Sequence, residues 1–316
     1  MQEWIVTGAD AGIRFDLWLT RHAGAGSRSR AAEWIEKGKI FLNGEPIDAR
    51  QAAHRMREGD RVGLWMDRPG SSRAADRAVR DASHLLRIVH EDEALVAVDK
   101  AVGLLVEPLP DSGRSEVTVL DLVAAHLQHE VRPKLYVVHR IDRDTSGLVL
   151  VARTPAARDA LKEQFERRTP ERVYQAVVEG RVSPPSGTWR DALAWDGDAL
   201  RQRRAHATDA RAKEAVAHYA VLEQFHGAAL MEVSLVTGKR NQIRVQASLR
   251  GHPLLGERQY RFGAPPPPPR LPSIERQALH AWRLGVVHPS TGRTVRFECP
   301  PPEDFAALLA RLRSGR

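Results

Sequence analysis

Helical and strand-like spacings of apolar residues alternate along this chain, and a polar interval divides them into two parts. Near the start, Trp4-Ile5-Val6 reads as a short strand, and Arg14-Phe15-Asp16-Leu17-Trp18-Leu19 opens a stripe at helical spacing. Ser27 stands as an N-cap ahead of Ala31, Ala32, Trp34 and Ile35, and Gly38 ends that second helix. Lys39-Ile40-Phe41-Leu42 then runs into Asn43-Gly44, a hairpin signal, and Gly59-Asp60 turns the chain again before Arg61-Val62-Gly63-Leu64-Trp65. Two small helices and a few short strands predict a compact α/β module over residues 1–66. Residues 67–84 lose this periodicity; Pro69-Gly70-Ser71-Ser72, followed by charges and alanines, predicts a linker.

A second domain is expected over residues 85–316. It opens with two strand-like runs separated by the acidic turn His90-Glu91-Asp92-Glu93, and residues 117–129 and 155–168 follow as helices, the latter with Pro155 in its first turn. In Arg172-Val173-Tyr174-Gln175-Ala176-Val177-Val178, alternation puts Val173, Gln175 and Val177 on one face and Tyr174, Ala176 and Val178 on the other. Tyr174 is then a core-facing ring whose hydroxyl needs a partner. Residues 181–213 predict a strand pair with Arg-rich loops, and His218-Tyr219-Ala220-Val221-Leu222 and residues 229–235 predict paired strands. The run Pro265 to Pro269 is a stiff exposed loop, and a C-terminal amphipathic helix covers residues 303–312.

The chemistry concentrates between two apolar runs. Leu135-Tyr136-Val137-Val138 reads as a buried strand and Leu148-Val149-Leu150-Val151-Ala152 as another; between them stands His139-Arg140-Ile141-Asp142-Arg143-Asp144-Thr145-Ser146-Gly147. Ionisable groups at the joint of two core strands must be paired or they cost folding free energy. For Asp144 a charged turn suffices, its carboxylate accepting from the Thr145 and Ser146 amides. Asp142 is not covered by that account. A carboxylate at a strand end, flanked by Arg140 and Arg143, stays ionised and can act as nucleophile or base.

Composition narrows the partners. The 316 residues exceed what one core usually holds, which favours two domains. An excess of 48 Lys+Arg over 40 Asp+Glu, a net +8, favours a polyanion, nucleic acid first. With one cysteine, Cys299, there is no internal disulfide and no thiolate metal cluster. Neither a secretory leader nor a membrane-length apolar run is visible, so a cytoplasmic, monomeric protein is expected. Gly238-Lys239 lacks the upstream Gly and the following Ser/Thr of a phosphate loop, which excludes a nucleotide-triphosphate site there.

The 139–147 stretch resembles the HRLDxxTSG signature of RluA-type RNA pseudouridine synthases, with Ile141 in place of Leu and Asp142 at the catalytic aspartate. Tyr174-Gln175-Ala176 is similar to the family's Tyr-x-Ala element. Gly238-Lys239-Arg240-Asn241-Gln242-Ile243-Arg244 resembles its Gly-Arg-x-His-Gln-Ile-Arg element, with Asn241 for His and Arg244 at the arginine that pairs the aspartate. Gly251-His252-Pro253-Leu254-Leu255-Gly256, Tyr260, Leu279-His280-Ala281 and His288-Pro289 continue the pattern; both of the last histidines are expected to bond backbone. The entry hairpin departs from it, with Ala101 for Pro and Glu107 where His is common. Residues 13–66 resemble the ribosomal-protein S-four-like RNA-binding domain, which makes Arg28, Arg30, Lys37 and Lys39 candidates for phosphate contact.

The resemblance implies an α+β protein: a catalytic domain with a mixed, largely antiparallel sheet (the pseudouridine synthase fold) behind a small N-terminal α/β RNA-binding domain. It implies isomerisation of uridine in structured RNA, large-subunit ribosomal RNA ahead of transfer RNA, without metal or organic cofactor. Asp142, Tyr174 and Arg244 would be the catalytic set, with Ile243 and Leu148 as dry walls. Arg140 would fill the gap left by a flipped base. Two rivals remain at this point. The departures at Ala101, Glu107 and Asn241 suggest a non-catalytic ribosome assembly factor, and a nucleoside hydrolase would release free uracil.

Overall fold

The computed structural model describes residues 2–47, 49–66, 78–108, 116–127, 134–206, 208–264 and 271–315. Most of the expected linker, the proline run and the end of the helix expected at 117–129 lie outside the described residues. The described chain divides into two compact units, one reaching Ala82 and one built from Ser83–Glu107 and Thr118–Arg316; residues 108, 116 and 117 group with the first.

In the first unit, β1 (Gln2–Ile5), β2 (Ile40–Leu42), β3 (Glu45–Pro46) and β4 (Arg61–Leu64) form an antiparallel sheet in the order β1-β4-β2-β3. It packs with α1 (Phe15–His22) and α2 (Arg28–Glu36) around Phe15, Trp18, Leu19, Trp34, Ile35 and Ile40. The local signals explain these elements. Ser27 Oγ accepts from the Arg30 amide at 3.2 Å, capping α2. Asn43 and Gly44 both take positive φ, as a tight hairpin requires, and the Asn43 side chain is fixed by the Arg61 amide and Asp60.

The second unit is built on one sheet of eleven strands: β5 (Leu86–Glu91), β6 (Leu95–Lys100), β7 (Tyr136–Val137), β8 (Ser146–Ala152), β9 (Glu171–Glu179), β10 (Ser186–Asp196), β11 (Arg201–Arg204), β12 (Lys213–Phe225), β13 (Ala228–Leu235), β14 (Leu279–Val287) and β15 (Thr294–Glu298). The main order is β11-β10-β12-β13-β9-β14-β8-β6-β5, with β15 on β14 and β7 on β8. Every pairing is antiparallel except β14 with β8. The α+β expectation with a mixed, largely antiparallel sheet therefore holds. Helices α3 (Val119–His126), α4 (Pro155–Arg167), α5 (Gln242–Ser248) and α6 (Glu303–Ser314) complete the unit.

The alternation read along β9 sets the layers. Ala176 and Val178 join Ile243 and Ala247 of α5 in one core, while Val177 joins Phe305, Leu308 and Leu309 of α6 in another. Under β6 and β8 a third core forms from Leu95, Leu148 and Leu150 with Ala157 and Leu161 of α4. One expectation is corrected. The run 135–138 yields only the two-residue β7, half-buried, because the chain leaves the sheet early to enter the polar loop.

The parallel joint needs a residue without a side chain. Ser146 and Gly147 of β8 pair with His280 and Ala281 of β14, and a Cβ on Gly147, which has φ +111°, would stand 2.2 Å from the Ala281 carbonyl oxygen. Gly147→Ala is expected to destabilise the second unit by at least about 3 kcal/mol. Urea denaturation followed by tryptophan fluorescence measures this, and a loss below about 1 kcal/mol would show that the joint tolerates a methyl group.

Candidate active site

Asp142 lies in the loop between β7 and β8, and four of the backbone and side-chain contacts that hold that loop cluster around Asp142 and Arg143. The Thr145 amide donates to the Asp142 carbonyl at 3.1 Å, and the Gly103 amide donates to the Arg143 carbonyl at 3.0 Å. Arg143 Nε returns a bond to the Gly103 carbonyl at 3.1 Å. The fourth contact comes from Lys100, at the end of β6, which is fully buried and donates to the carbonyls of Ala101, Leu104 and Arg143 at 2.9, 2.9 and 2.7 Å. Burial pulls the Lys100 pKa down to about 7, against the upward pull of the Asp144 and Asp142 charges. Asp144 itself is exposed, and the turn it was expected to cap is closed instead by the Asp142 carbonyl.

The side chain of Asp142 is held from α5, about a hundred residues away. Asn241 Nδ2 donates to Asp142 Oδ2 at 2.7 Å and Arg244 Nη1 donates to the same oxygen at 3.4 Å. Neither flanking arginine takes that place: Arg143 bonds the Gly103 carbonyl, and Arg140 reaches Glu107 at 3.4 Å. The helix that delivers Asn241 and Arg244 is pinned to β12 by its glutamines. Gln242 Nε2 donates to the Val216 carbonyl and Gln246 Nε2 to the Ala215 carbonyl, both at 3.1 Å.

Behind Arg244 stands a carboxylate that sequence reasoning missed. Glu257 accepts from Arg244 Nε at 2.6 Å and Nη2 at 2.8 Å in a two-pronged pair, and its side chain has no exposed surface. It also accepts from the Gln259 and Tyr260 amides at 2.8 and 3.0 Å. Burial weighs against the charge on Arg244, but Glu257 and then Asp142 outweigh it and hold the guanidinium pKa above its usual value. Tyr260 closes the network. Its hydroxyl donates to Asn241 Oδ1 at 3.0 Å and accepts from the Gln202 amide at 3.1 Å. Nothing in the spacing of Glu257 marked it; a signal that could have is Gly256 before it, where a Cβ would stand 2.0 Å from the Arg276 carbonyl oxygen.

Tyr174 sits on β9 against the core formed by Ala176 and Ile243 and lines a small cavity with His139, Leu148, Arg172 and Leu284. Among the described residues its hydroxyl has no hydrogen-bond partner, so the partner expected for it is not found. Burial pushes the phenol up to about 12, partly offset by Arg172 and reinforced by Asp142, so the hydroxyl keeps its proton at neutral pH. His139 does not titrate usefully. Burial and then Arg172 bring it down to about 3, and its Nε2 accepts from the Leu150 amide at 3.0 Å. His280 bonds Ser146 Oγ and the Cys299 carbonyl, each at 3.0 Å, and His288 accepts from the Ser290 and Thr291 amides, so both serve the framework as expected.

In the N-terminal unit the four candidate cations differ. Arg28 is exposed and bridges to Asp16 at 2.8 Å, Arg30 lies over Trp34 at 5.7 Å, and Lys37 pairs with Glu33. Arg14 also holds Asp16, whose pKa falls to about 2. Lys39 is only 3% exposed where the chain enters β2, and its backbone is bonded on both sides, to Trp34 and Trp65. It does not offer a surface charge as expected.

Comparison with known proteins matches the same regions. A family profile described as RNA pseudouridylate synthase matches residues 94–249, and an S4 domain profile matches residues 13–62. The chain is 37% identical to the ribosomal large subunit pseudouridine synthase D of Pseudomonas aeruginosa, over 92% of this chain and 89% of the relative. It is 34% identical to the uncharacterized RNA pseudouridine synthase YlyB of Bacillus subtilis, over 96% and 95%. Its fold is similar to that of human RNA pseudouridylate synthase domain containing 4, with a TM-score of 0.61 at 23% identity, covering 76% of this chain and 97% of that one. Among the described residues no helix is long and apolar enough to cross a membrane.

The buried lysine gives a pH signature. Its pKa is about 7 in the folded chain against 10.5 for the free group, so between those values the unfolded chain holds a proton that the folded chain lacks. Stability from this group is therefore fully present above pH 10.5 and lost as pH falls through about 7, with a slope of ~1 kcal/mol per pH unit between. Urea denaturation of the wild type and Lys100→Met from pH 7 to 10 is expected to show the wild type gaining on the variant as pH rises. Parallel curves would exclude a lysine with this shift.

Proposed function

Since the chain belongs to the RNA pseudouridylate synthase family, we propose that it isomerises specific uridines of large-subunit ribosomal RNA, using the Asp142 carboxylate on a base flipped out of its stack. The observation that carries this reading is the double engagement of Asp142 Oδ2 by Asn241 and Arg244. The RNA class follows relatives such as the ribosomal large subunit pseudouridine synthase D of Pseudomonas aeruginosa, which this chain matches over most of its length.

The reaction breaks the bond from ribose C1′ to uracil N1, turns the base, and joins C1′ to C5. The C5 proton is lost and N1 gains one, so the atoms balance without water. Glycoside hydrolysis needs a second carboxyl group to protonate the leaving group and activate water. Uracil leaves as a stabilised anion, so one carboxylate is enough. Asp142 either attacks C1′ or removes a ribose proton to start the departure; in both routes its free oxygen faces the sugar while Oδ2 stays held. Side-chain exposures of 26% for Asp142 and 11% for Arg244 leave room for a sugar and little for bulk solvent. Leu148, 1% exposed, and Ile243, 3% exposed, supply dry walls. Tyr174 walls the base and, protonated at neutral pH, assists proton movement from C5. Asn241 cannot titrate, so that position orients the carboxylate and exchanges no proton.

Base flipping costs a few kcal/mol unless the uridine is already unstacked. Arg140, 57% exposed, is the side chain proposed to fill the gap, leaving Glu107 to do so. In the N-terminal unit, Arg28, Arg30 and Lys37 are proposed to meet phosphate, Lys37 released from a pairing with Glu33 that is weak at the surface.

Asp142→Asn is expected to abolish pseudouridine formation on an unmodified large-subunit ribosomal RNA transcript, with at least a thousandfold loss on the order seen for essential nucleophiles. Binding of the same transcript should stay within about threefold, since exchanging the carboxylate for an amide removes one negative charge and takes away no phosphate contact. Tritium release from C5-labelled uridine reads the first and filter binding the second. Full turnover in the variant would overturn the role of Asp142, and free uracil among the products of the wild type would overturn the isomerase reading.

A further inference from the structure

Beside the Asp142 cluster lies a side-chain pair that the chemistry above leaves unused. The Arg240 guanidinium carbon is 4.1 Å from the centre of the Trp195 ring, stacking distance for a cation on an indole face. Both residues are tied to the reacting carboxylate by short routes. Arg240 precedes Asn241, whose amide bonds Asp142 at 2.7 Å. Trp195 lies opposite Gln202 in the β10–β11 ladder, and the Gln202 amide bonds the same Tyr260 hydroxyl that bonds Asn241. The pair therefore borders the site.

Arg240 differs from the arginines around it. Arg203, Arg250 and Arg261 are each held by a carboxylate, as is Arg244. Arg240 is exposed, and among the described residues no carboxylate or carbonyl accepts from it. Stacking occupies one face of the guanidinium and leaves its N–H edge open. It also fixes a side chain whose rotamer freedom an incoming anion would otherwise have to freeze. Next to it, Lys239 has its pKa lowered by burial first and then by the positive charges of Arg168 and Lys213, against the upward pull of Glu214, so cations outnumber carboxylates around it.

We infer that Arg240, braced on Trp195, binds the backbone phosphate of a nucleotide flanking the target uridine. This rests on the RNA-modifying reading above and names how that site grips its substrate. Asp142 and the exposed Asp144 place negative charge on the loop, which opposes the approach of phosphates that a flipped nucleotide carries with it. A planar fork with two free N–H groups meets two phosphate oxygens at once, and a fixed cation at the rim offsets that repulsion. A base stacked on the outer guanidinium face is the competing arrangement.

The test uses the full chain and an unmodified transcript of large-subunit ribosomal RNA. Arg240→Ala and Arg240→Gln are expected to raise KM about tenfold, the size of one charge-assisted contact, with kcat changed less than about twofold. The slope of log affinity against log salt should fall by about one in both variants, the signature of one lost phosphate. Trp195→Ala should raise KM while keeping the salt slope, because the charge remains and only its brace is gone. Filter binding in an Asp142→Asn background reads the same contact without turnover. Unchanged affinity in both Arg240 variants overturns the inference. So does an affinity loss with an unaltered salt slope, which assigns the contact to a base. Loss of pseudouridine formation by the wild type with the salt signature intact would sink the proposed reaction and leave this contact standing.

Discussion

Arg244 serves two carboxylates at once, and the geometry of the catalytic unit depends on that division. Glu257 is shut away from solvent, and a buried carboxylate without a partner is strongly destabilising. Its two oxygens therefore fix the Nε and Nη2 edge of the guanidinium, with the Gln259 and Tyr260 amides holding the carboxylate in turn. Only Nη1 is left over, and it points to Asp142. The orientation of the Asp142 side chain is thus set by the demand of a charge buried behind it. Lys100 does the corresponding work on the backbone side, gathering three carbonyls beneath the loop.

Much of this was readable from the chain alone. The pairing of Asp142 with Arg244 came through the family resemblance of two motifs, and the face of Tyr174 from strict alternation, because a strand has only two faces. The fold class came with the resemblance to the RluA-type synthases that residues 139–147 and 238–244 carry. Glu257 and Lys100 were not readable in the same way. Their weight comes from burial, which depends on what the tertiary structure packs around them, and an acidic or basic letter reads alike in core or at surface. Lys39 shows the converse: next to Lys37 in a basic cluster, it is turned inward by the strand it introduces. Asp144 was given a turn-capping role because residue type favours it, yet a backbone carbonyl took the bond.

The departures from the family pattern also have physical readings. Asn241 takes a left-handed backbone conformation at φ +54°, which asparagine tolerates better than most side chains. Its amide gives to Asp142 and receives from Tyr260, so both ends are satisfied without a titrating group. Glu107 meets Arg140, an exposed pair that solvent screens. At Ala101 the contact with Lys100 uses the backbone carbonyl, which any residue supplies. None of the three removes a contact on which Asp142 depends, and this weighs against a degenerate domain.

The parallel joint between β8 and β14 divides the sheet into two half-sheets of different origin. Asp142 and Lys100 come from the earlier one, while Tyr174, Asn241, Arg244 and Glu257 come from the later, and two residue pairs form the seam between them. A chain cut short before Leu279 would still contain every one of these side chains. It would lack the strand that lies between β8 and β9, and so would have no scaffold to bring the acid to its cation. Assembly of the centre must accordingly wait for one of the last strands to be synthesised.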